Sequence, residues 1–234
     1  MPLAPQLADF AGIAAGQRVL DVGCGPGALT TELVGRLGPA SVSAVDPSEP
    51  FVAAARERHP GVDVQRASAE ELPFADDEFD AALAQLVVHF MSDPVAGVRE
   101  MARVTREQGV VAACVWDLAG GAAPLSVFWE AAHELDPDVN DESQMAGARE
   151  GHLEELFREA GLHAIEATAL SNTVEHPSFD DWWEPYTLGV GPAGGYAASL
   201  DPKRQAELRE LCREKLPEAP FNLTFRAWAA RGVI

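Results

Sequence analysis

A chain of 234 residues, 47% hydrophobic and 23% charged, carries enough apolar material for one domain with a full core, and no apolar run nears the ~18 residues of a membrane helix. A formal net charge of −20 opposes partners recognised through phosphates, so nucleic acid is set aside as a partner and no membrane is expected either. Cys24, Cys114 and Cys212 are odd in number and lie in no C-x-x-C spacing, which argues against a disulfide framework or a zinc site, and no metal is expected. Met1 to Leu20 lacks a signal-type apolar segment, so the expected location is cytoplasmic.

In chain order, Leu3 to Ala15 has a helical apolar stripe, placing an N-terminal helix within residues 1–15. A β-branched strand then ends at Asp21, and Gly23, Gly25 and Gly27 follow with Cys24 between them. The helical pattern that starts near Ala28 runs to Leu37 and stops at Gly38-Pro39. Glycines at alternate positions permit positive φ, and a ligand can lie on bare main chain beside the unpaired N–H groups of a helix start. Gly23, Gly25 and Ala28 also satisfy the loose G-x-G-x-x-G/A dinucleotide pattern, with Asp46 about 20 residues beyond. Asp21 weighs against a dinucleotide, because its carboxylate would repel a pyrophosphate and attract an ammonium or a sulfonium.

Ser41 to Val45 reads as the second strand, with Asp46 and Pro47 at its C-terminal end, where ligands of open α/β sheets bind. Asp46 has two readings, acceptor of both ribose hydroxyls or N-cap of the next helix. Phe51 to His59 is helical, Val62 to Gln65 a third strand, and Phe79 to Leu86 a fourth strand of small apolar residues buried on both faces. Gln85 marks its C-terminal end. A helix from Pro94 through Arg106, a turn at Gln108-Gly109 and a fifth strand from Val110 to Trp116 complete the alternation, which implies right-handed βαβ units and a parallel sheet.

Three stretches of this half resemble the class I S-adenosylmethionine-dependent methyltransferases of the small-molecule kind: Asp21 to Gly27 (Asp-Val-Gly-Cys-Gly-Pro-Gly), Ala44 to Asp46, and Ala69 to Phe74 (Ala-Glu-Glu-Leu-Pro-Phe). The resemblance implies S-adenosylmethionine as cofactor, bound by Asp21, Gly23, Cys24, Gly25, Gly27, Asp46, Pro47, Ser68, Ala69, Glu70 and Gln85. Ser68 stands where the family usually has an Asp at the adenine, so Glu70 is the alternative carboxylate. Leu86 to Asp93 is similar to the family's Leu-x-Leu-His-His-Leu-x-Asp, with Phe90 in place of the second His. His89 is either a general base for the acceptor or a loop His bonded to backbone. Family members often have a longer N-terminal cap, so either the lid comes from elsewhere in this chain or the true start lies upstream.

Beyond Asp117 the regularity fails. Phe128, Trp129 and His133 lie on a helix, Leu153 to Ala160 is amphipathic and helical, and Ala164 to Leu170 is the sixth strand. Trp182, Trp183 and Tyr186 follow; with Trp116, Phe128 and Trp129 they form either an apolar acceptor pocket under a lid or the glue of an inserted helix. Gly189 to Gly195 reads as a flexible connector, Asp201 to Leu216 as a helix and Asn222 to Ala229 as a strand. The resemblance implies that this last strand is antiparallel, between the fifth and sixth.

The expectation is therefore an α/β chain, a Rossmann-like doubly wound sheet of seven mostly parallel strands with a last antiparallel strand, plus helical insertions forming a lid. One domain covers 1–234, with the cofactor core at 16–116 and substrate-side insertions and C-terminal strands at 117–234. The expected reaction is methyl transfer from S-adenosylmethionine to a small molecule. The alternatives are an NAD(P)-dependent oxidoreductase, which fits the glycine spacing but not Asp21, and a non-catalytic S-adenosylmethionine-binding protein. No feature of the chain specifies an oligomeric state.

Overall fold

The computed structural model describes residues 2–234. Seven strands form one sheet: β1 (Val19–Val22), β2 (Val42–Asp46), β3 (Asp63–Arg66), β4 (Phe79–Gln85), β5 (Thr105–Trp116), β6 (His163–His176) and β7 (Phe221–Val233). Their order is β3-β2-β1-β4-β5-β7-β6, with β1 to β5 parallel and β7 antiparallel to both β5 and β6. The chain winds outward from β1 to β3 and then returns to place β4 beside β1. That reversal leaves an opening at the C-terminal ends of β1 and β4, where nothing crosses over.

Helices cover both faces because the parallel strands alternate two apolar sides. Leu3, Leu7, Leu29 and Leu33, from α1 (Leu3–Phe10) and α2 (Ala28–Leu37), pack with Val19, Leu83 and Cys114. Val52 and Ala55 of α3 (Glu49–Arg58) cover Ala44 and Val64. On the opposite face, Val98 and Met101 of α4 (Pro94–Val104) share a core with Leu20, Ala82 and Val111. Leu153 and Phe157, from a further helix between β5 and β6, join that core.

Three local expectations need correction. Arg106 and Thr105 belong to β5, not to the end of α4: Thr105 pairs with Phe79, a register shift follows, and Gln108 takes φ +63°, so the chain bulges instead of turning. β6 and β7 are longer than their apolar patterns, running as one antiparallel ladder from His163↔Val233 to His176↔Phe221. The connector at Gly189 to Gly195 is mostly helical, because Gly194 lets that turn approach the backbone of Gly189, where a Cβ would stand 3.1 Å from its carbonyl carbon.

The lid consists of two insertions. One, α5 (Ser126–Leu135), follows β5 and precedes α6 (His152–Glu159). The other links β6 to β7 and holds α7 (Phe179–Trp183), α8 (Gly191–Ser199) and α9 (Pro202–Lys215). Phe128, Trp129, Trp183, Leu208 and Cys212 give these helices a buried core of their own. No helix among the described residues is long and apolar enough to cross a membrane.

Candidate active site

Most of the glycine loop is held by main chain. The N–H groups of Gly23 and Cys24 both donate to Val45 O, at 2.8 and 2.9 Å, and Gly27 N–H donates to Cys24 O. Gly23 has φ +70°, and a Cβ there would lie 2.4 Å from Val87 Cγ1; at Gly27, φ +94°, it would strike the His59 ring. Gly25 differs. Its φ is +52° and a Cβ would meet no atom within 4 Å, so only the space above the loop would be filled.

That space is a cleft of about 400 Å³ lined by Asp21, Gly23, Cys24, Gly25, Asp46, Pro47 and Gln85, together with Phe51, Leu86, Val87 and Phe90. Asp46, 6% exposed, bridges the loop and the second strand: Oδ2 accepts from Gly25 N–H at 2.9 Å and Oδ1 from Ser48 N–H at 2.8 Å. Ser48, not Asp46, is the N-cap of α3. The Cys24 thiol is pushed up by burial and by Asp21 and Asp46, and stays neutral. Leu86 holds φ +61°, a strained conformation for a residue with a side chain, at the cleft wall.

Two buried acceptors in this cleft are unspent. Asp21 is 1% exposed; Oδ2 accepts from Thr30 Oγ1 at 2.6 Å, but Oδ1 has no partner. Gln85 Oε1 is likewise buried without a partner. Burial pushes the Asp21 carboxyl up to about 7, with the Thr30 hydrogen bonds opposing and Asp46 adding to the rise. Buried acceptors left unpaired cost about 1–3 kcal/mol each, so a ligand bearing donors is favoured here and a phosphate is disfavoured. Thr30→Val removes the one side-chain donor to Asp21, and a loss of about 1–3 kcal/mol in urea unfolding is expected; an unchanged midpoint would contradict the role given to this bond.

The remaining sequence-predicted residues are placed elsewhere. Ser68, Ala69 and Glu70 do not line the cleft. Ala69 belongs to the sheet core, and Glu70 Oε1 accepts from Ser92 and Asp93 N–H at 2.8 and 3.3 Å, shaping the turn before α4. His89 lines neither this cleft nor its neighbour; burial lowers it to about 4, and its ring packs on Phe90 with centroids 3.9 Å apart. It is a poor base at neutral pH.

A second cavity, of about 460 Å³, adjoins the first, and Phe90, 60% exposed, lines both. Trp116, Trp182 and Tyr186 are in its wall as expected. Phe128, Trp129 and Trp183 are not; they are the glue of the lid, with Phe128 stacked on Tyr186 at 4.6 Å. Sequence reasoning missed Phe90, Glu142, His176 and Phe225 in this wall. Only for Phe90 was there a signal, an aromatic side chain in the motif position of a second His.

The order of the seven strands and the place of the glycine-loop cleft give the architecture of the class I methyltransferase fold. Residues 20–113 match the model of the methyltransferase domain family, and that match together with the fold supports an S-adenosylmethionine-dependent methyltransferase. It is 28% identical to an uncharacterized protein of Mycobacterium bovis, over 98% of this chain and 86% of that protein. It is 32% identical to a probable phthiotriol/phenolphthiotriol dimycocerosates methyltransferase of Mycobacterium ulcerans, over 65% of each chain. Its fold is that of the YcgJ protein of Bacillus subtilis, with TM-score 0.64 and 20% identity over 98% of this chain and 97% of the other.

Proposed function

We propose that the glycine-loop cleft binds S-adenosylmethionine and that the adjoining aromatic cavity holds an apolar small-molecule acceptor. The pair of unspent buried acceptors, Asp21 Oδ1 and Gln85 Oε1, carries this reading. When bound, S-adenosylmethionine supplies an electrophilic methyl group on a positively charged sulfur. Asp21 and Gln85 receive the ammonium hydrogens of such a ligand, Asp46 keeps lone pairs for ribose hydroxyls, and bare backbone at Gly25 permits close approach. Phe90 lines both cavities and so marks where donor and acceptor would meet.

Because the methyl group arrives activated, the protein contributes alignment more than acid–base chemistry, an effect worth roughly 7–11 kcal/mol in well-oriented systems. The neutral, poorly basic His89 agrees with that division of labour. The Mycobacterium ulcerans relative, named for phthiotriol and phenolphthiotriol, supports an apolar acceptor carrying a hydroxyl. Calorimetric titration distinguishes the cofactors: micromolar binding of S-adenosylmethionine and S-adenosylhomocysteine is expected, with no heat from NAD. Saturable NAD binding, or none of either nucleoside, would refute the assignment.

A further inference from the structure

We propose that Glu142 and His176 select the acceptor, so that the aromatic cavity takes an apolar, ring-bearing molecule that presents an O–H or N–H donor to them. This rests on the reading of that cavity as the acceptor site. Its wall is built from Trp116, Trp182, Phe225 and Val190, and its polar groups are few. The Tyr186 hydroxyl is used by Pro124 O at 3.2 Å, and Asn172 already has a partner. Glu142 and His176 remain.

Glu142 lies on the connection between α5 and α6, is 2% exposed, and is oriented by the Trp129 indole, whose N–H donates to Oε2 at 3.0 Å. His176 ends β6, and its ring is fixed by stacking on Phe221 with centroids 5.3 Å apart. Its Nε2 is buried with no partner. Burial raises the Glu142 carboxyl and lowers the His176 imidazole, so the ring is neutral at pH 7 and has an acceptor nitrogen available. The insertion after β5 and the end of β6 thus bring two oriented polar groups into one apolar wall, where a ligand without a donor would leave the His176 Nε2 without a partner. Sites built this way discriminate strongly against analogues that lack the hydrogen.

Calorimetry on the full chain saturated with S-adenosylhomocysteine tests this with naphthol, naphthylmethylamine and methoxynaphthalene, which share one ring system. At least one of the two donors is expected to bind roughly tenfold or more tighter than the ether. Whichever donor binds better identifies the acceptor as a hydroxyl or as an amine. His176→Phe keeps the stacking on Phe221 and is expected to shrink the gap. Glu142→Gln retains an amide oxygen for Trp129 but turns a cavity acceptor into a donor, so the ether is expected to gain on both donors. Equal affinities, a gap that survives both substitutions, or no saturable probe binding while S-adenosylhomocysteine binds normally would each overturn the proposal. Failure of S-adenosylhomocysteine itself to bind would overturn the methyl-donor reading as well, and so is distinguishable.

Discussion

Gly25→Ala should lose S-adenosylhomocysteine binding by roughly 100-fold or more, about 2.8 kcal/mol, while the protein stays folded. The reason is the separation of two duties within one loop. A methyl group on Gly23 would collide with Val87 at 2.4 Å, and one on Gly27 with His59 at 2.7 Å, so those substitutions damage the fold first. At Gly25 the methyl meets no protein atom, and the only structural cost is the left-handed backbone at φ +52°, about 1–2 kcal/mol. Tm is therefore expected to fall by a few degrees for Gly25→Ala and by more for Gly23→Ala, while both lose binding. Gly25→Val adds a branched side chain and should abolish binding altogether. Calorimetry beside thermal unfolding makes the comparison, and near-normal binding by Gly25→Ala would show that no ligand approaches the loop there.

Asp21 should make both stability and cofactor affinity depend on pH, in opposite directions. Its carboxyl is raised from 3.8 to about 7, chiefly by burial, so between those values the folded state holds a proton that the unfolded state has released. This group's contribution to stability is thus fully present below about pH 4, declines as pH rises and is gone above about pH 7. Binding an ammonium favours the ionised carboxylate, so affinity rises with pH where stability falls. Between pH 5.5 and pH 7.5 the affinity for S-adenosylhomocysteine is expected to increase roughly 20-fold, with proton release visible as a dependence of the binding heat on buffer. Asp21→Asn should bind weakly at every pH and show a flatter Tm profile. A wild-type affinity that is flat across this range would mean that Asp21 does not face the ligand's charge.

The stability cost of an unpaired Asp21 is the kind of local conflict that a folded core does not tolerate without a use. The nearby strain at Leu86 and the unpaired Gln85 oxygen lie in the same cleft wall. Their clustering at the C-terminal ends of β1 and β4 places the cost where the sheet reverses direction, and ligand donors arriving there would offset it.

Local order along the chain was enough to determine the parallel half. Apolar runs bounded by glycine and proline marked β1 to β4 and α2 almost to the residue, and the loop with Asp21 and Asp46 was legible because its chemistry is carried by neighbours within about 25 positions. What only tertiary packing decided lies after Asp117. Trp116, Phe128, Trp129, Trp182, Trp183 and Tyr186 look alike in sequence, yet half line the aromatic cavity and half are packed within the insertions, because that choice depends on how the inserted helices meet one another and the sheet. Glu142 and His176 had no local mark at all: one lies in the insertion after β5 and the other ends β6, 34 positions apart, and they acquire meaning only when the fold brings both to one cavity wall. Periodicity reports which side of an element is apolar; it carries no information about which distant surface will cover that side.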